Sequence, residues 1–194
     1  VESPGNFLEE LLRKKALLAM CLFLASEAIF FACLIAAYVY YTGSSPNGPN
    51  ARSVLDPLKT GLYTACLLGS SFTIYMAERA QRRQRRGLGL WLGVTMFLGI
   101  VFLFGEMQEY LKLLHENVTV SRDLFGSTYY TLTGFHALHV TVGLILLGTI
   151  LAISRRGKMG TRQRTALQCI SCYWHFVDVV WVAVFSVVYL WSTR

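Results

Sequence analysis

Seven acidic and basic side chains stand where a helix of otherwise apolar residues would not ordinarily carry them. Glu27 lies inside the first long apolar stretch. Glu106 and Glu109 lie three residues apart, as do His136 and His139, and again His175 and Asp178. A spacing of three places both members of a pair on one helix face, about one turn apart. Such groups are costly in hydrocarbon and usually face the interior of a bundle. At 1.5 Å per residue His139 and His175 differ in depth by only about 6 Å, so Glu27, His139, His175 and Asp178 are expected to form one polar layer if their faces converge. Three chemistries fit that set. Two histidines on facing helices can ligate a haem, although Tyr173, Trp174 and Trp181 crowd the last stretch. Carboxylates and histidines at graded depth can build a proton or ion path. The third option is structural, with His–Asp and His–Glu hydrogen bonds locking helix to helix at about 0.6–2 kcal/mol each.

The elements that must position these residues are five apolar stretches, Ala16–Tyr41, Leu58–Ala77, Leu88–Leu114, Ser127–Ile153 and Ala166–Trp191. Each matches or exceeds the roughly 20 residues needed to cross a hydrocarbon core. Only helices suit them, because a bilayer offers no solvent for unpaired backbone groups and no strand-like alternation is present. The expected fold is an all-α integral membrane protein, a single membrane domain over residues 1–194 with five transmembrane helices. Thirteen of the eighteen Lys and Arg fall in three clusters, Arg13–Lys15, Arg79–Arg86 and Arg155–Arg164, all on one side of that arrangement. Positive residues remain on the cytoplasmic or matrix side, which places the N-terminus inside and the C-terminus outside. The net charge of +7 is thereby a topology signal and a headgroup contact. The basic runs lack interleaved aromatics, so no nucleic acid partner is expected.

Other features narrow the function further. The first stretch is too long for a signal-peptide core and no small-residue cleavage site follows it. Position 1 is Val, so at least one preceding residue is expected. All four prolines lie outside the stretches and no internal repeat is visible, which argues against a transporter with broken helices. The longest loop carries the turn-forming run Gly43–Asn50. Cys21, Cys33 and Cys66 stand alone as small apolar residues. Cys169 and Cys172 form a C-x-x-C at the inner end of the last stretch. Without a second pair, and beside a reducing compartment, it reads as packing, with a soft-metal or redox site as the alternative. Gly93, Gly99, Gly134, Gly143 and Gly148 allow helices or acyl chains to approach closely. Glu27, at mid-depth, costs at least about 2.5–3.5 kcal/mol as an unpaired ion, and is expected as a neutral hydrogen-bond donor.

Two long motifs make a family resemblance specific. Phe125-Gly126-Ser127-Thr128 leads into Thr133-Gly134-Phe135-His136-Ala137-Leu138-His139-Val140, and the last stretch reads Tyr173-Trp174-His175-Phe176-Val177-Asp178-Val179-Val180-Trp181. Together with Ser26-Glu27-Ala28-Ile29-Phe30-Phe31 and Glu109-Tyr110, they resemble subunit III of haem-copper terminal oxidases across all five stretches, in order. Longer members have seven spans, and the chain is similar to the short five-span bacterial form. The resemblance implies a non-redox accessory subunit of an enzyme complex. It would carry no catalytic residue, no metal and no cofactor of its own, with haem and copper in partner subunits. The implied partners are subunits I and II, a small subunit IV and phospholipid, in a bacterial inner membrane engaged in aerobic electron transport. On that reading Glu27, Glu106, Glu109, His136, His139, His175 and Asp178 line a polar or lipid pocket or serve packing, and Trp174 and Trp181 are interface or packing aromatics. The alternatives are the small five-span subunit that accompanies nitric oxide reductases, or a stand-alone membrane haem-binding or transport protein. The Glu27 segment and the Trp174–Trp181 motif favour the oxygen-reducing family.

Overall fold

A computed structural model describes residues 4–42, 56–83, 87–116, 124–155 and 160–191. Among these, the regular elements are all helical: α1 (Pro4–Thr42), α2 (Pro57–Arg82), α3 (Leu88–His115), α4 (Leu124–Arg155) and α5 (Thr161–Phe185), the last continued by a π-helical turn over Ser186–Trp191. The turn-forming run at 43–50 and several loop arginines, Arg85, Arg86 and Arg156 among them, lie outside the described residues. Every expected stretch is found inside a helix. The helices also run beyond them, most of all α1, which begins twelve residues before Ala16.

Four helices, α1, α3, α4 and α5 with its π turn, are long and apolar enough to cross a membrane. The 26 residues of α2 span about 39 Å, which is ample length. Its average polarity is raised by Thr and Ser residues, and Thr60, Thr64, Ser70 and Thr73 are buried against other helices. Hydropathy averaged around a helix does not register that these hydroxyls face inward. Local signals set the ends of α2 and α3. Asp56 caps α2 by accepting from the N–H groups of Leu58 and Lys59, with Pro57 at the first helical position. Gly87, at φ +142°, turns the chain into α3 in a conformation that side chains rarely adopt.

Sequential helices α2 and α3 form the most extensive pair, α3 packs on α4, and α1 packs on α4 and α5. The last helix, α5, contacts α1, α2 and α4, and its Trp174 and Trp181 are fully buried. Trp174 occupies a notch between helices. A Cβ added at Gly143 on α4 would lie 2.8 Å from its ring, and one at Gly99 on α3 would lie 2.9 Å from it. Gly105 on α3 admits the ring of Tyr63 from α2 still more closely. Of the five glycines singled out from the sequence, Gly99 and Gly143 thus permit close approach. Gly134 and Gly148 make ordinary contacts, and Gly93 faces open space. The outer surface is apolar, with Leu22, Ile29, Phe97, Phe104, Ile145 and Val179 exposed, as a bilayer-facing surface should be.

Replacing Gly143 by Leu should force Trp174 out of its notch and cost about 1–3 kcal/mol, as overpacking does. Gly93→Leu should change stability by less than about 0.5 kcal/mol. Thermal unfolding of the two variants in one detergent checks the contrast; equal effects would show that the notch does not hold Trp174.

Candidate functional site

The expected single layer of Glu27, His139, His175 and Asp178 is instead two separate polar clusters. The first joins α1 to α4. Glu27 Oε2 lies 3.1 Å from His139 Nε2, both side chains being partly buried. His139 Nδ1 lies 2.7 Å from the Phe135 carbonyl, which can only accept, so Nδ1 carries a proton. In a neutral ring Nε2 is then an acceptor and Glu27 must donate; in a charged ring Nε2 donates to a carboxylate. Either way the pair is joined by one hydrogen bond, which engages an acid inside an apolar helix. Tyr173 of α5 donates to the His139 carbonyl at 2.9 Å, and its ring stacks near the imidazole.

The second cluster joins α5 to α2. Ser71 donates to Asp178 Oδ2, so its oxygen accepts from His175 Nδ1 at 2.9 Å. The one-turn spacing of His175 and Asp178 sends both toward the same hydroxyl on α2, away from His139. That geometry divides the layer. Alongside it, Trp174 Nε1 donates to Ser70 Oγ at 2.8 Å and Trp181 Nε1 to Thr64 Oγ1 at 2.9 Å. The sequence reading had passed over the α2 hydroxyls. Part of their signal was present in the spacing of Thr60, Thr64 and Ser71, which sets three hydroxyls on one helical face inside an apolar stretch.

A third group lies toward the α2 N-terminus and α3 C-terminus. Glu109 Oε2 accepts from Thr60 at 2.6 Å and from Tyr189 at 2.9 Å, and Tyr129 donates in turn to Tyr189 at 3.1 Å. This ties four helices to one carboxylate oxygen. Tyr110 donates to Thr133 at 2.8 Å, pinning α3 to α4. Glu106 and His136 are buried here, and His136 stacks on Trp181 with ring centroids 4.7 Å apart.

The arrangement leaves little for ligation. His136 and His139 have different neighbours, Trp181 for one and Glu27 for the other, and His175 is held on α2. Among the described residues no group of three His, Cys, Asp or Glu side chains is placed to hold a metal ion. Cys169 and Cys172 are unbridged thiols. Chemically the sites can donate, accept and hold protons, and they can fasten helices.

Comparison with known proteins gives a consistent picture. The family model described as Cytochrome c oxidase subunit III matches residues 8–193. The chain is 39% identical to a cytochrome c oxidase subunit 3 of Synechocystis sp., over 87% of this chain and 72% of that protein. It is 36% identical to the cytochrome bo(3) ubiquinol oxidase subunit 3 of Pseudomonas aeruginosa, over 87% and 81%. It is 38% identical to a probable cytochrome c oxidase subunit 3 of Nocardia farcinica, over 87% and 84%.

Ser71→Ala should leave the Asp178 carboxylate and His175 Nδ1 without their common partner, at a cost of about 1–3 kcal/mol. Asp178→Asn, which keeps an acceptor for Ser71, should cost less. Thermal unfolding read by circular dichroism would rank the two, and an unaffected Ser71→Ala would remove this cluster from the account.

Proposed function

The chain belongs to the cytochrome c oxidase subunit III family, and from that premise we propose that it is the non-redox accessory subunit of a respiratory haem-copper oxidase in a bacterial plasma membrane. The observation that carries this reading is the match over residues 8–193. The internal hydrogen bonding supports it, because most polar groups in the helices are engaged with one another. Haem and copper belong, on this reading, to partner subunits. Subunit I is the packing partner, with subunit II and a small subunit IV in the same complex.

All five helices cross the membrane in this proposal, α2 included. Its hydroxyls are turned inward, and the arginines at its end, Arg79, Arg82 and Arg83, suit a position at the inner headgroups. The N-terminus is inside and the C-terminus outside. Two surface features suit phospholipid. A groove of about 270 Å³ beside His139 is lined by Met20, Phe23, Leu138, Val142, Leu146 and Tyr173, apolar enough for acyl chains. At the inner end, Arg13 and Arg162 flank an open groove of about 700 Å³ whose floor includes Leu8, Leu12, Ala16 and Cys169. A guanidinium beside an apolar channel fits an anionic headgroup with its chain. The Glu27–His139 pair lies next to the first groove and keeps α1 on α4 while the groove is filled.

The Glu27→Gln variant tests the accessory role. The amide can still donate to His139 Nε2, but it has no acid proton to release. The complex should assemble and reduce oxygen at close to the normal initial rate, with any defect appearing as loss of activity during sustained turnover. Initial oxygen consumption measured beside the haem spectrum and subunit content decides the matter. Abolished initial turnover with every subunit and haem in place would make Glu27 a proton carrier and end the accessory reading.

A further inference from the structure

Four of the five buried side-chain atoms that lack a hydrogen-bond partner among the described residues belong to two residues of α3 and one of α4: Glu106 Oε2, Glu109 Oε1 and both ring nitrogens of His136. These side chains are 3%, 8% and 0% exposed. The register of α3 on α4 sets Glu106 and His136 on one seam between the two helices. Tyr110 bonds Thr133 at one level, and Phe102 meets the His136 ring at 5.7 Å about two turns away. Glu106 stands on the same face of α3, midway between Phe102 and Tyr110, and therefore faces the stretch from Thr133 to His136. Glu109, one turn further along, lines a cavity of about 130 Å³ with Asp56, Lys59, Thr60, Tyr63, Gln108 and Lys112.

Two adjacent buried carboxyls cannot both be ionised cheaply, and a carboxylate in such a place is normally neutralised. Buried polar atoms are satisfied by protein or by internal water, with few exceptions. A protonated acid, an anionic or neutral acid and an imidazole with both nitrogens unengaged are the groups that internal water links into one proton-sharing unit.

We propose that Glu106 and Glu109 form a hydrated proton-binding site beside α4, with His136 further along the same seam, exchanging with the aqueous phase through the cavity at the α2 N-terminus. The titratable and charged groups around it are Asp56, Lys59 and Tyr63 from α2 and its cap, Tyr110 and Lys112 on α3, Tyr129, Tyr130 and His139 on α4, and Tyr189 following α5. Lys59 and Lys112 at the cavity disfavour a metal cation there, which leaves the proton as the ligand. Glu109 is the entry residue, since it alone of the three lines the cavity. Calling this end of the bundle the outer one rests on the orientation proposed above; the site itself does not.

The test uses the intact complex carrying Glu27→Gln, which removes one other intramembrane acid, and peptide assignment separates any adduct on Asp178. Dicyclohexylcarbodiimide adds to a protonated carboxyl. The acid proton goes to a carbodiimide nitrogen and the carboxyl oxygen bonds the central carbon, so the adduct marks an acid that is both neutral and reachable. Peptide mass spectrometry should place an adduct on Glu106 or Glu109, falling to background in the Glu106→Gln, Glu109→Gln double variant. Infrared spectra of the unlabelled complex should show a protonated-carboxyl band that Glu106→Gln or Glu109→Gln removes and that shifts within minutes of transfer to D2O. Absence of both adduct and band overturns the proposal, and so does a band that D2O leaves unshifted, because the site would then be dry. Both signals are read on this chain's own carboxyls, so they stand or fall independently of the accessory role.

Discussion

In hydrocarbon, two apolar helices gain almost nothing by leaving lipid for each other, so a bundle must be held by close packing and by polar contacts. In this chain those forces concentrate on α5. Trp174 and Trp181 send their indole N–H groups to Ser70 and Thr64 of α2, while the Trp174 ring fills the notch left by Gly99 and Gly143. One side chain thus touches α2, α3 and α4 at once. The short Ser71–Asp178 contact and the His175 bond continue the same seam. The positions of α3 and α4 relative to each other, and the levels at which Glu106, Glu109 and His136 sit, follow from how this helix is held.

The same arrangement divides the histidines of the apolar helices among different neighbours. Three of the four histidines have different surroundings: His139 bonds Glu27 and a carbonyl, His175 bonds Ser71, and the His136 ring stacks on Trp181. None of these pairs leaves two imidazoles facing across a gap. A family of oxidase subunits whose function is to accompany a catalytic partner suits a fold that uses its polar groups to fasten its helices. It also suits a surface with two largely apolar grooves, one of which carries Arg13 and Arg162 at its edge.

Much of this was legible in the residues. Apolar length located the helices, and the motifs around His136 and Trp174 identified the family before any geometry was known. The one-turn spacing of His175 and Asp178 correctly put both on one face. What spacing could not convey was which neighbour that face met, and there the expected four-residue layer divided into two clusters. Rotation of one helix against another depends on partner surfaces, and in α2 the partner surface was a row of small hydroxyls with no chemical prominence of its own. The same hydroxyls lower the average hydropathy of α2, so the helix that receives most of the polar contacts is also the one that falls short of the apolar character of the other four.

The central claim is that this chain's polar groups serve its own packing and its partners' environment and hold no haem, copper or electron path. The most direct measurement is the absorption spectrum and initial oxygen-consumption rate of the oxidase purified without this chain, compared with the complete complex. The account predicts unchanged haem content per large subunit and substantial initial oxygen reduction. Loss of a haem band in proportion to the missing chain, or no initial turnover with the remaining subunits and haems intact, would contradict it.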